Sequence, residues 1–267
     1  IRYVERSRGL GDVYKRQDNN FTAMISTDWN ECLAPTGPFD PIAFSHPELA
    51  QELESIFRLY TGNNITLGQA VERLKDLLPH LPTKEQMDAY LDRYFSTYKG
   101  VPELIQWCSE SGILFMINTT APIGYFQRVF AKALIPAVPA LSGHTMVRFP
   151  PEPTDPEIIY PLEETSDKAK NTQKAAETYG ISPDKIIIIG DSGGDGPHFE
   201  WGASTGCHLI ASMAKYSLQR YCDKKGIKIT SYFGIKYDKG QGRDPDKEMA
   251  YDFMNLRSVI MELLNLD

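Results

Sequence analysis

Ile186-Ile187-Ile188-Ile189-Gly190-Asp191-Ser192-Gly193-Gly194-Asp195 is the stretch on which the fold turns. Four β-branched residues in a row read as a strand buried on both faces, the pattern of a central strand in a parallel sheet. The strand runs out at Gly190 into two carboxylates four positions apart, set in a loop with two more glycines. Carboxylates held together at the carboxyl end of a buried strand repel one another unless a cation lies between them, and hard divalent cations such as Mg²⁺ favour all-oxygen sites. The stretch therefore predicts a metal site on an α/β sheet, with Asp191 and Asp195 as ligands.

Working outward, the run Ser166–Tyr179 (SDKAKNTQKAAETY) predicts a helix that leads into this strand and stops at Gly180. Its Lys168 lies at the amino end, where an anion bound beside the carboxylates would be met, and Lys170 is the alternative. Further upstream, Ile113–Ile117 (ILFMI) reads as a buried strand followed by Asn118, Thr119 and Thr120. Such small amide and hydroxyl side chains either donate to a phosphate oxygen or cap the next helix. Phe21–Thr27 (FTAMIST) reads as the first strand and ends at Asp28-Trp29-Asn30-Glu31. Open α/β sheets place ligands at the carboxyl ends of their strands, which makes Asp28 a further contributor to the metal site. Downstream, His208–Met213 and Lys228–Ile235 predict strands, short strands are expected around Met146–Phe149 and Ile158–Tyr160, and Asp246–Leu266 predicts a closing amphipathic helix.

Between the first two of these strands the pattern changes. Pro47–Tyr60, Leu67–Leu78 and Thr83–Tyr98 each carry apolar residues at three- and four-residue spacing. No strand is evident across 34–99, which is expected to be a helical insertion in a core formed by 18–33 and 100–267. Residues 1–17 lack apolar periodicity and read as a disordered or adventitious leader. The four cysteines have no C-x-x-C pairing and read as reduced thiols. With a net charge of −7, nucleic acid and anionic membranes are disfavoured as partners, and no apolar run approaches the ~20 residues that span a bilayer. The expected setting is cytoplasmic, as a monomer or homodimer acting on a small molecule.

Three strand ends thus carry Asp28, Asn118 or Thr119, and Asp191 with Asp195, and Lys168 precedes the last. A carboxylate nucleophile, a hydroxyl or amide donor, a cation for an anionic group and a Mg²⁺ site fit phosphoryl transfer through an aspartyl-phosphate. In this order the segments resemble the motifs of the haloacid dehalogenase (HAD) superfamily, most of whose members are Mg²⁺-dependent phosphatases. The resemblance runs from about Phe21 to Met213. It rests on Asp28-Trp29-Asn30-Glu31-Cys32, on ILFMI before Asn118-Thr119-Thr120, on Lys168, and most specifically on Gly190-Asp191-Ser192-Gly193-Gly194-Asp195. The insertion resembles that superfamily's C1 cap, which closes over small substrates. The expected fold is a three-layer, Rossmann-like α/β core with a mainly parallel sheet plus an inserted α-helical cap at 34–99.

The resemblance implies that Asp28 is the nucleophile and a Mg²⁺ ligand, with the Asn30 backbone carbonyl, Asp191 and Asp195 completing the protein's share of the coordination. Thr119 or Asn118, with Thr120 beside them, would hold a phosphoryl oxygen, and Lys168 would balance the charge. One position departs. The superfamily's phosphatases carry a second Asp two residues after the nucleophile, as acid to the leaving group and then base for water; here Asn30 cannot exchange protons near neutral pH. General acid–base help is worth roughly 10²–10⁴-fold, so slow hydrolysis of a small phosphorylated metabolite is expected. Glu31 is the neighbouring candidate for the missing acid. The alternatives are a catalytically weakened phospho-ligand-binding protein, or a C–P bond hydrolase like the phosphonoacetaldehyde hydrolases, whose Asp-Trp motif is similar but which need a cap lysine, Lys75 or Lys84.

Overall fold

Strand β5 (Ile186–Gly190) is buried at every residue inside a seven-stranded sheet, in the computed structural model, which describes residues 21–61 and 64–266. The leader expected at 1–17 lies outside the described residues. The other strands are β1 (Ala23–Thr27), β2 (Ile113–Pro122), β3 (Ala140–His144), β4 (Ile158–Leu162), β6 (His208–Ala214) and β7 (Ser231–Lys236). Their order is β4-β3-β2-β1-β5-β6-β7 and every pairing is parallel. Parallel neighbours need crossovers, and the helices that supply them cover both faces.

Alternation along the strands divides the core in two. Ile25, Phe115, Ile117, Ile187 and Ile189 pack with α5 (Val101–Glu110), α6 (Ile123–Ala131) and α11 (Leu256–Leu264). Met24, Leu114, Met116, Ile186 and Ile188 pack with α7 (Asp167–Tyr179), α8 (Gly196–Thr205) and α9 (Tyr216–Lys225). The register then fixes where the chemistry falls. Thr27 lies opposite Ile117 on one side and Ile189 on the other, so Asp28, Asn118 and Gly190 emerge side by side at one end of the sheet.

Between β1 and α5 lie α1 (Asp40–Ser45), α2 (Ala50–Thr61), α3 (Leu67–Leu77) and α4 (Lys84–Tyr94). Capping boxes start α3 at Thr66/Gln69 and α4 at Thr83/Gln86. This segment leaves and returns at one point, where Tyr98 N donates to Leu33 O at 3.0 Å.

Two expectations are corrected. Met146–Phe149 is not a strand: Val147 O accepts from Gly124 N and Phe149 N donates to Gln127 Oε1, which ties this loop to α6. The strand there is β3, whose Ser142, Gly143 and His144 carry no apolar alternation to betray it. The closing helix is also broken, into α10 (Pro245–Glu248), a 3₁₀ turn at Phe253–Asn255, and α11. Asp252 caps the turn through Met254 N at 3.0 Å, and Phe253 is buried in parallel contact with Tyr98. Among the described residues no helix is long and apolar enough to cross a membrane.

Candidate active site

At the end of β1 the chain reverses tightly. Cys32, Leu33 and Ala34 all donate their N–H to Trp29 O, and Glu31 takes a left-handed φ of 59°. Trp29 anchors the turn, fully buried with its ring edge-on to Phe126. Asp28 Oδ1 accepts from Trp29 N at 2.7 Å, which leaves Oδ2 toward the neighbouring strands. At the end of β5 a side chain at Gly190 would place its Cβ 2.6 Å from Asp195 Cγ, so glycine is what lets the following loop fold back. Asp195 Oδ2 accepts from Asp191 N at 3.0 Å and Ser192 N at 3.2 Å.

Lys168, at the start of α7, joins the two strand ends. Its Nζ lies 3.0 Å from Asp28 Oδ2 and 2.6 Å from Asp195 Oδ1, with the side chain 1% exposed. Lys170 is exposed and pairs with Asp167, so of these two lysines only Lys168 reaches the cluster. Asp28, Asp191 and Asp195 each offer an oxygen within 4.8 Å of the others.

Thr119 points to this site, donating to Asn30 Oδ1 at 3.3 Å, while Asn30 Nδ2 donates to Thr36 O at 3.1 Å. Asn118, expected as a possible phosphoryl-oxygen donor, does not face it. Strand alternation turns its amide to the opposite face, where Nδ2 is shared among Lys168 O, Thr172 Oγ1 and Ser26 Oγ. Asn118 is therefore a brace that holds the first turn of α7, and with it Lys168, to the sheet. Thr120 is half-buried beside the Tyr60 hydroxyl. The Asn30 carbonyl accepts no hydrogen bond among the described residues, as a metal-directed oxygen would require.

A second charged chain, absent from the sequence expectations, meets the same carboxylates. Lys215 follows β6 directly, and its Nζ lies 2.9 Å from Asp191 Oδ2, out of line for a hydrogen bond. Lys215 also pairs with Glu31, whose Oε1 is 2.6 Å from Arg243 Nη1; Arg243 in turn pairs with the fully buried Glu248. Burial works to raise the Glu31 carboxyl, but Lys215 and Arg243 overcome it and hold the group below its usual range. Glu31 is thus a fixed anion and a poor substitute for the missing acid. The strand-end rule, applied to β6, would have found Lys215; Arg243 lies in a Gly- and Asp-rich loop with no pattern to single it out.

The electrostatics leave room for a cation. Asp28, Asp191, Asp195, Glu31 and Glu248 are five carboxylates set against Lys168, Lys215 and Arg243, a deficit of two positive charges. The strain collects on Asp191, which burial pushes up to about 8, with Lys215 opposing and Asp195 and Asp28 adding to the rise. Asp195, by contrast, is held low: Lys168 and the N–H groups of Ser192 and Asp191 outweigh its burial. An all-oxygen cluster short of two positive charges suits a hard divalent ion such as Mg²⁺.

Beside the cluster opens a cleft of about 780 Å³. Tyr60 and Leu67 line one wall; the 192–194 loop, Lys215, Arg220 and Lys224 line the other. Lys75 and Lys84 do not line it, and Lys84 is paired with Glu152, so neither is placed to form an imine there.

No family model and no curated protein matches this chain. Solved structures do. A phospho-aspartyl intermediate analogue of phosphoserine phosphatase superposes with a TM-score of 0.62 at 16% identity, over 89% of this chain and 98% of that one. A HAD family hydrolase from Salmonella enterica subsp. enterica serovar Typhi gives 0.59 at 17% identity, over 79% and 66%. A phosphoserine phosphohydrolase-like protein from Francisella tularensis subsp. tularensis SCHU S4 gives 0.51 at 19% identity, over 78% and 94%. The fold of this chain is the α/β fold that these HAD-type proteins share.

Proposed function

We propose that the protein is a Mg²⁺-dependent phosphatase that hydrolyses a small phosphorylated metabolite through an aspartyl-phosphate on Asp28, with the helices of 34–99 as its cap. One observation carries the reading. Of the three clustered carboxylates only Asp28 keeps appreciable exposure, 11% against 2% for Asp191 and 1% for Asp195, and Lys168 is shared between Asp28 and Asp195. A nucleophile must be reached by its substrate, whereas a metal-holding or lysine-holding carboxylate need not be.

Asp28, Asp191, the Asn30 carbonyl and, beside them, Asp195 would hold the ion, which when bound supplies positive charge to the phosphoryl oxygens. Asp28 attacks phosphorus, Lys168 neutralises the nucleophile and a phosphoryl oxygen, and the Thr119 hydroxyl donates to another. Water then cleaves the acyl phosphate. Arg220 and Lys224, in no ion pair among the described residues, give the outer cleft a cationic wall suited to an anionic ester.

The test is release of inorganic phosphate from a panel of phosphate esters. Turnover is expected with Mg²⁺, is lost on chelation, and is abolished by Asp28→Asn. Turnover that survives Asp28→Asn, or none on the whole panel, overturns the proposal. A second reading, a phospho-ligand-binding protein, draws on Asn30, whose amide is already engaged by Thr119 and Thr36. It predicts Mg²⁺-dependent binding of a phosphate analogue with no phosphate released.

A further inference from the structure

We infer that Tyr60 is the proton donor to the leaving group, in place of the acid that Asn30 cannot be; the inference rests on the phosphatase reading above. Tyr60 lies in the last turn of α2, its ring stacked on Phe39 with centroids 6.2 Å apart and planes 24° from parallel. It lines the cleft, and its hydroxyl stands beside Thr120 at the carboxyl end of β2, in the field of Lys168, Asp28 and Asp195. It therefore sets a phenol, carried by the insertion, at the mouth of the cleft beside the end of β2 and within electrostatic reach of Asp28.

Arg220 and Lys224, in no ion pair among the described residues, lie on the outer cleft wall, and the protic groups closer to the carboxylates are committed. Glu31 is held as a carboxylate by Lys215 and Arg243. Lys168 and Lys215 each answer two carboxylates, which hold both ammonium groups above their usual range against the pull of burial. Tyr221, also on the cleft wall, donates to Glu200 Oε2 at 2.7 Å. Glu164, at the cleft's edge, accepts from Thr66 Oγ1 at 2.8 Å and Gly68 N at 3.1 Å. His198 is buried behind the sheet against Thr172.

The step balances. As Asp28 attacks phosphorus, the bond from phosphorus to the alkoxyl oxygen breaks, its electron pair goes to that oxygen, and the oxygen takes the Tyr60 proton. The phenolate lies in the field of the Lys168 ammonium, which favours its negative charge. Water next attacks phosphorus and gives a proton to the phenolate, and the bond from phosphorus to Asp28 breaks, restoring carboxylate and phenol. Burial raises the Tyr60 phenol to about 12 and Lys168 works to lower it, so it is a weaker acid than a carboxyl but stronger than the alcohol it protonates. Its contribution belongs at the low end of the range for general acid catalysis.

The experiment compares esters that do and do not need a proton. Tyr60→Phe keeps the ring that packs on Phe39 and removes only the hydroxyl. With Mg²⁺ present, the variant is expected to lose roughly 10²-fold in kcat/KM on benzyl phosphate while staying within about threefold of the unchanged protein on p-nitrophenyl phosphate. Across aryl phosphates from p-nitrophenyl to p-methoxyphenyl, dependence on leaving-group basicity is expected to be shallow in the unchanged protein and steep in the variant. Equal losses on both esters would mark a packing or binding role and overturn the inference, as would no loss on benzyl phosphate. Turnover of no ester of the whole panel, these two included, by the unchanged protein overturns the phosphatase reading and this inference with it, whereas turnover without a selective loss in the variant on esters of basic leaving groups overturns this inference alone.

Discussion

Replacing Lys168 by Met tests the electrostatic centre of the site directly. Methionine retains most of the stem volume in a position 1% exposed, so little cavity forms and the main change is loss of the ammonium 3.0 Å from Asp28 and 2.6 Å from Asp195. Removing one partner of a buried pair strands the other charge and costs about 3–5 kcal/mol. At about 2–4 °C per kcal/mol, that is a fall in Tm of roughly 6–20 °C. The sign of the pH dependence follows. Burial already raises the Asp28 carboxyl and Lys168 is the largest opposing influence, so in the variant its folded-state pKa rises further above the unfolded value. Such a group binds more protons folded than unfolded between the two values, so stability falls as pH rises through that window and the penalty is smaller at pH 5 than at pH 8. Urea unfolding at the two pH values, without metal, measures it, and Lys170→Met is the control, since Lys170 is exposed and paired only with Asp167. A loss below about 1 kcal/mol, a penalty independent of pH, or an equal loss in the control would refute the reasoning.

His198 predicts a separate acid sensitivity. Burial, and then Lys168, pushes its imidazole down to about 3 from an ordinary value near 6.5, so between these values the unfolded chain binds more protons and stability falls as pH falls, by ~1.4 kcal/mol per unit at most. His198→Gln should flatten that slope in urea unfolding between pH 7 and 5; an unchanged slope would show that the ring does not titrate in this window. In the cleft, Arg220→Ala with Lys224→Ala should raise KM roughly tenfold for a phosphorylated substrate and leave kcat nearly unchanged, because neither touches the reacting atoms. A fall in kcat at constant KM in steady-state assays would contradict that placement.

What the sequence made legible was the set of features written in local pattern. The apolar run Ile186–Ile189, the strand-end position of Asp28 and the helix-leading position of Lys168 each follow from a periodicity or a rule about strand ends, and β1 and β5 do lie adjacent with those residues at one end. Asn118 and Thr119 could not be separated the same way, because adjacent strand residues face opposite sides and only the sheet's placement decides which side holds the site. Strand β3 escaped because its residues carry little apolar alternation; its burial comes from sitting between β2 and β4. Arg243, itself paired with Glu248, meets Glu31 from more than two hundred residues away, a contact created by the fold and by no local signal.

That long-range chain also gives a physical reason for Asn30. The site already holds five carboxylates against three cations, a difference that one divalent ion closes. An aspartate at position 30 would add a sixth carboxylate and leave the cluster one charge short even with that ion bound. It would also set an acceptor against Thr36 O, where Asn30 Nδ2 now donates at 3.1 Å, and an unmet buried acceptor costs about 1–3 kcal/mol. In a molecule that carries Glu31 and Glu248 in this chain, the neutral amide keeps the first turn intact and the charge closed. On the proposed phosphatase reading, the acid for the leaving group then has to be neutral at rest and enter from outside the carboxylate cluster. A phenol carried in from the insertion meets both conditions.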